Sequence, residues 1–186
     1  MFEKYKPKEY IGSKQEIIKV FDKFKKPCVL KITNKIHKTE FGGVVLNINT
    51  KEELLKALNK LEKIDDKFLL QEQVKGVELF VGSKVDETFG KVIVFGIGGI
   101  YTEIYKDITI RKIPINEEDI ESMFNDLKGK KLIYGYRNIK TNVQKLKEFL
   151  IEFSNYLKNK NYKEIDINPL ILNEENVYCV DIKVIT

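Results

Sequence analysis

Four strand-like runs follow one another between Lys67 and Ile113: KFLLQEQV, VELFVGSKV after Gly76, KVIVFGI after a turn at Asp86 to Gly90, and ITIRKI. Their β-branched and aromatic content and their turn-bounded lengths predict strands, and a block of strands has to bury one face against helices or a second sheet. Two amphipathic segments can serve. One opens near Asn116 and carries Ile120, Met123, Phe124 and Leu127; the other opens at Thr141 and carries Val143, Leu146, Leu150, Phe153 and Leu157. Upstream, Ser13 with Glu16 and Thr50 with Glu53 form two capping boxes, the first predicting a helix that runs to about Lys25 and stops before Pro27. Between those helices PCVLKIT at 27–33 and GVVLNI at 43–48 read as strands. The pattern predicts an α+β chain of two lobes, 1–66 and 67–186, joined without a flexible tether into one functional unit.

The chain's 186 residues, 42% hydrophobic and 11% aromatic, are enough for packed cores and too few for a large multidomain enzyme, so it works as a module or with a partner. Its 33 basic residues are interspersed with 28 acidic ones, and only Arg111 and Arg137 are arginines. That is a solvated lysine-rich surface, and no nucleic-acid partner is expected, since such a groove clusters its charge and favours arginine. No apolar run approaches a membrane span and the first ten residues are charged, so neither a membrane segment nor a signal peptide is expected, and the expected compartment is the cytoplasm. Cys28 and Cys179 lie in apolar runs without metal-ligand spacing and read as reduced core residues. His37 is the single histidine.

The end of the chain is a predicted hairpin, KEIDINPLIL and VYCVDIKV around Asn173-Glu174-Glu175-Asn176. Period-2 alternation puts Glu164, Asp166 and Asn168 on one face, with Ile165 and Ile167 on the other. A four-residue loop pairs Leu172 with Val177, which sets Asn168 opposite Asp181 and Asp166 opposite Lys183. Facing side chains have Cβ atoms about 5 Å apart, so a carboxylate and an amide oxygen can converge on a small hard cation such as magnesium, which takes oxygen ligands. The alternative is an edge hairpin whose polar face meets water; Pro169 argues against it by holding Asn168 extended.

No P-loop motif occurs, and FGIGGIYTEI lacks the third glycine of a dinucleotide fingerprint, leaving its glycines to a bulge or a close backbone approach. Lys31, inside an apolar strand, needs an anionic partner or an exit to solvent at a sheet edge. If the partner is a phosphate, Gly42 and Gly43 can open a facing loop whose N–H groups contact its oxygens. At the lobe junction QEQVKGVE can offer backbone groups to a purine edge, with Glu78 beyond the turn able to meet ribose hydroxyls.

These stretches, together with KKLIYGYRN, resemble in order and spacing the ATP-grasp β subunit of the NDP-forming acyl-CoA synthetases, typified by ADP-forming acetate–CoA ligase and related to succinyl-CoA synthetase, from about residue 12 to 186. The resemblance implies an ATP-grasp fold with the nucleotide site between two lobes. It implies phosphate contacts from Lys31, a covering loop at Gly42, Gly43 and Val44, an adenine hinge at Gln71, Glu72 and Val74, and a ribose contact at Glu78. It further implies Mg2+ ligands at Asn168 and Asp181, ATP or ADP as substrate, and a phosphoryl-carrying histidine at His37. The partner implied is a CoA-binding α subunit, without which the reaction is not completed; the alternative is an inactive nucleotide-binding or sensing module. The chain departs from the family in a shortened segment ahead of residue 12, a connection from Lys31 to His37 about two residues shorter than usual, and Thr39-Glu40 where Ser-Asp is common.

Overall fold

A computed structural model describes residues 1–33, 42–99 and 106–186, and the chain forms two compact units, residues 7–74 and residues 1–6 with 75–186. The smaller unit holds β1 (Glu9–Gly12), α1 (Lys14–Val20), β2 (Cys28–Ile32), β3 (Val44–Ile48), α2 (Lys51–Leu61) and β4 (Phe68–Glu72). The larger holds β5 (Val77–Asp86), β6 (Gly90–Ile97), β7 (Ile108–Lys112), α3 (Glu117–Asp126), α4 (Lys130–Ile133), α5 (Val143–Lys158), β8 (Glu164–Leu172), β9 (Val177–Cys179) and β10 (Ile182–Ile185).

The smaller unit is an antiparallel sheet in the order β1-β4-β2-β3. Cys28, Leu30 and Ile32 of β2 and Phe68 and Leu70 of β4 face one side, where Ile17 and Phe21 and the α2 residues Leu54, Leu58 and Leu61 cover them. Both capping boxes form, Ser13 with Glu16 and Thr50 with Glu53. The first helix is shorter than its apolar pattern suggests: it passes at Phe21 into a 3-10 turn ending at Lys23.

In the larger unit β8, β5, β6 and β7 are neighbours in that order, and β9 and β10 pair in succession along the other side of β8. One face is filled by α3 and α5 through Ile120, Met123, Phe124, Leu146, Phe149, Leu150 and Phe153 against Leu79, Val81, Ile93, Phe95 and Ile167. Asn116 caps α3 as expected. The cap of α5 is Asn142 rather than Thr141, whose hydroxyl instead donates to the Ile133 carbonyl at 2.6 Å.

The expected boundary at 66/67 moves to 74/75, because β4 pairs with β1 and β2 and inserts between them. Likewise the first six residues belong to the larger unit, where Tyr5 packs edge-on against Phe149 at 4.8 Å and donates to Glu152 at 2.8 Å. Cys28 and Cys179 are free and buried in separate cores, and burial pushes the Cys179 thiol up to about 12. Among the described residues no helix is long and apolar enough to cross a membrane.

Candidate functional site

The hairpin register falls where alternation places it: Leu172 pairs with Val177, Ile167 with Ile182 and Asp166 with Lys183. Between these ladders both strands are irregular. The β5–β8 register shifts between Leu79 and Val81, so β8 carries an extra residue around Asn168-Pro169, while β9 stops at Cys179 and β10 resumes at Ile182. The Asn168 N–H donates to the Asp181 carbonyl at 3.1 Å and the Val180 N–H to the Pro169 carbonyl at 3.2 Å, which holds the two interruptions side by side. A bulge of this kind re-aims side chains next to a site.

Asn168 and Asp181 are thus directly opposed and both exposed, and neither side chain has a hydrogen bond among the described residues. One carboxylate and one amide oxygen suit a hard divalent cation that draws its other ligands from water or a phosphate. No cluster of three or more His, Cys, Asp or Glu able to hold a metal by itself occurs among the described residues.

On the same face of β8 lies a group that the sequence showed only as part of a polar stripe. Asp166 sits half-buried over Gly82, where an added Cβ would come within 2.6 Å of its carboxyl oxygen. Burial, with Glu164 alongside, raises its pKa from 3.8 to about 6, against the opposing pull of Lys183. Asp166, Lys84, Phe80, Ile108 and Ile110 line a concavity of about 360 Å³ on the face of the sheet away from the helices. A folded-state pKa above the ordinary value means that the native state holds more proton than the unfolded chain between about pH 4 and 6, so stability is full below that window and falls as pH rises through it. Asp166→Asn is expected to raise the thermal midpoint at pH 7 by about 2–4 °C, on the order of 1 kcal/mol after solvent screening, and to give no gain at pH 4. Melting curves at the two pH values check this, and equal midpoints for both proteins at pH 7 would contradict it.

In the smaller unit β2 is an inner strand, so Lys31 has no sheet edge by which to reach water. It is 6% exposed and its ammonium donates to Gln71 Oε1 at 2.9 Å. Val44 pairs with Lys31 across the strands, and Gly43 accepts from the Ile32 N–H at 3.0 Å, so the structure brings these residues beside the lysine. Gly42, at φ +63, has the left-handed backbone that favours glycine, and among the described residues nothing lies within 4 Å of where a Cβ would stand. Asp65 accepts from the Thr33 N–H at 2.8 Å and pins the end of β2. His37 lies outside the described residues, on the connection that leaves at Thr33 and returns at Gly42.

Of the residues expected at an adenine hinge, Gln71 is 1% exposed and turned toward Lys31, while Glu72 accepts from the Lys25 N–H at 2.9 Å and donates its own N–H to the Lys8 carbonyl. Val74 lies past the end of β4 and its backbone has no hydrogen bond among the described residues, which leaves it able to meet a base edge. Glu78, in the larger unit, is exposed; its carbonyl accepts from the Gly98 N–H at 2.8 Å and its carboxylate lies over Gly99, where an added Cβ would be 2.8 Å away. The glycines of FGIGGI therefore serve close approach: a Cβ on Gly98 would meet the backbone of Leu79 at 2.8 Å.

Residues 4–186 match the family model described as an ATP-grasp domain. The chain is 29% identical over 181 residues to an ADP-forming acetate–CoA ligase II of Archaeoglobus fulgidus, covering 95% of this chain but 27% of that protein. It is 31% identical to the β subunit of ADP-forming acetate–CoA ligase I of Pyrococcus furiosus, covering 93% of this chain and 81% of that subunit. Among solved structures, an acetyl-coenzyme A synthetase of Candidatus Korarchaeum cryptofilum bound to coenzyme A and Ca-AMPCP superposes with a TM-score of 0.86 at 29% identity, over 96% of this chain and 86% of that one. The same enzyme with coenzyme A and Mg-AMPPCP, its phosphohistidine segment pointing towards the nucleotide-binding site, gives 0.82 at 31% identity, over 96% and 84%. The two-sheet α+β architecture, the match along nearly the whole chain and these relatives agree: the chain belongs to the ATP-grasp domain family, in the line of the ADP-forming acyl-CoA synthetases.

Proposed function

We propose that this chain is the nucleotide-binding β subunit of an ADP-forming acid–CoA ligase, completing acyl-CoA + ADP + phosphate = acid + CoA + ATP together with a CoA-binding α subunit. The observation that carries the reading is the pair Asn168 and Asp181, opposed at a double interruption of the hairpin with both side chains open. The likeness to a separate β subunit over 81% of its length supports the subunit role, as against 27% of the longer ligase.

The smaller unit contributes Lys31 and the N–H groups of Gly42 to Val44 for phosphate oxygens, and Gln71, Glu72 and Val74 as the adenine hinge, Val74 with a backbone free of strand pairing. The larger contributes Glu78 toward the ribose and Asn168 and Asp181, which would hold magnesium. The ion, when bound, supplies neutralisation of the phosphate oxygens. His37, in its neutral form, attacks the phosphorus of the partner's phosphohistidine; the phosphorus–nitrogen bond there breaks as a new one forms on His37. A β-phosphate oxygen of ADP then displaces His37, giving ATP. Lys31 offsets negative charge on the oxygens throughout.

Calorimetry with ADP and ATP, with and without magnesium, tests the nucleotide site. Binding is expected below millimolar concentration and about tenfold tighter with the metal; no binding at millimolar nucleotide would overturn the reading. Mixing with the CoA-binding subunit tests the rest, and binding without ATP formation in that mixture would leave a nucleotide-binding module alone.

A further inference from the structure

Glu9, Gln71 and Lys31 form a hydrogen-bonded row across three adjacent strands of the smaller sheet. Gln71 donates from Nε2 to Glu9 Oε2 at 2.8 Å and accepts at Oε1 from the Lys31 ammonium at 2.9 Å. The sheet order makes the row continuous: Glu9 pairs directly with Gln71, and Lys31 is on the strand next to Gln71 on its other side. Gln71 is 1% exposed and Lys31 6%, so neither amide end has ready access to water.

A side-chain amide can be turned over with little change of shape, exchanging oxygen for NH2. At this position the two orientations differ sharply. An ammonium only donates and a carboxylate only accepts, so the observed orientation satisfies both neighbours while the reverse sets donor against donor at Lys31 and acceptor against acceptor at Glu9. We infer that Glu9 is a positioning residue for nucleotide phosphate: by holding the NH2 of Gln71 it keeps the amide oxygen turned to Lys31 and so fixes where that ammonium stands. An amide oxygen steers the lysine without adding a negative charge beside it, which suits a cation meant for an anionic ligand. The inference rests on the reading that Lys31 contacts phosphate.

Calorimetry on the full chain separates the two, using ADP with magnesium and, as a probe without phosphate, adenosine. Glu9→Leu is expected to weaken ADP about fivefold to tenfold, the loss of one aimed hydrogen bond to a charged group, and to leave adenosine within about twofold. Glu9→Gln keeps an oxygen able to accept from Gln71 and should hold ADP affinity within about twofold of the native chain. Lys31→Met should weaken ADP at least as much as Glu9→Leu, and adding Glu9→Leu to it should cost nothing more. Gln71→Met removes both hydrogen bonds in a side chain of similar length and must reproduce the ADP loss, so the test survives if Glu9→Leu does not fold. The positioning role is overturned if Lys31→Met weakens ADP while Glu9→Leu and Gln71→Met do not, or if Glu9→Leu weakens ADP and adenosine alike. Unchanged ADP binding in Lys31→Met would remove the phosphate reading itself, and the inference with it.

Discussion

His37→Ala, mixed with the CoA-binding subunit, is expected to lower ATP formation from acyl-CoA, ADP and phosphate by about a thousandfold or more, as loss of an obligatory nucleophile does. ADP–Mg affinity should change by no more than about threefold, because binding is assigned to other residues. The size of the effect follows from the composition: the chain has one histidine, so no neighbour can take over its covalent step. Its place in the chain supports the role. The described residues on either side of it are held near Lys31: the Thr33 N–H donates to the Asp65 carboxylate at 2.8 Å, and beyond Gly42 the Gly43 carbonyl accepts from the Ile32 N–H at 3.0 Å. Transfer of labelled phosphate from the partner subunit separates the two halves of the step. If His37→Ala forms ATP at the native rate, the relay through this residue is wrong.

What could be read from the sequence, and what could not, divides by how far apart the interacting residues are. The hairpin register was legible because short-range chemistry sets it. Asn173 Oδ1 accepts from the N–H groups of Glu175 and Asn176, both at 2.9 Å, closing a four-residue loop from which every cross-strand partner follows. Capping boxes were legible for the same reason. The assignment of β4 was not: Phe68 to Glu72 resembles the strands after it, and only its pairing with Glu9 to Gly12 on one side and Cys28 to Ile32 on the other, both far earlier in the chain, puts it in the smaller unit. Nor was β1 itself, four residues with Ile11 exposed and no alternation to mark them. Lys31 shows a third kind of limit. Its burial in a strand required a partner; β2 is an inner strand, so the exit at a sheet edge is closed, and one contact the structure supplies is a neutral amide on the neighbouring strand, which no local pattern reveals. The burial that chiefly raises the pKa of Asp166 is likewise invisible in KEIDIN, which shows only the neighbouring Glu164, since the carboxyl lies against Gly82 of β5.

Asp181→Asn should have the next largest effect after the loss of His37, by a different route. The substitution keeps the shape of the side chain, and the site is exposed with no side-chain hydrogen bond to lose among the described residues, so stability should stay within about 0.5 kcal/mol. What disappears is the only charged member of the pair, leaving two neutral amides facing each other. ATP formation in the reconstituted enzyme is expected to fall about a hundredfold, roughly 3 kcal/mol of lost charge stabilisation. The gain in ADP affinity on adding magnesium should shrink toward nothing. Because Asn168 and Asp181 occupy equivalent places on facing strands, the geometry allows a test that a single variant cannot give. Moving the carboxylate across the hairpin, Asn168→Asp with Asp181→Asn, restores one charge and one amide oxygen at the same spot and should recover about tenfold of the lost rate and much of the magnesium dependence. An exposed polar face with no metal role predicts instead that all three proteins bind ADP alike with and without magnesium, an outcome that would dismiss the pair as ligands.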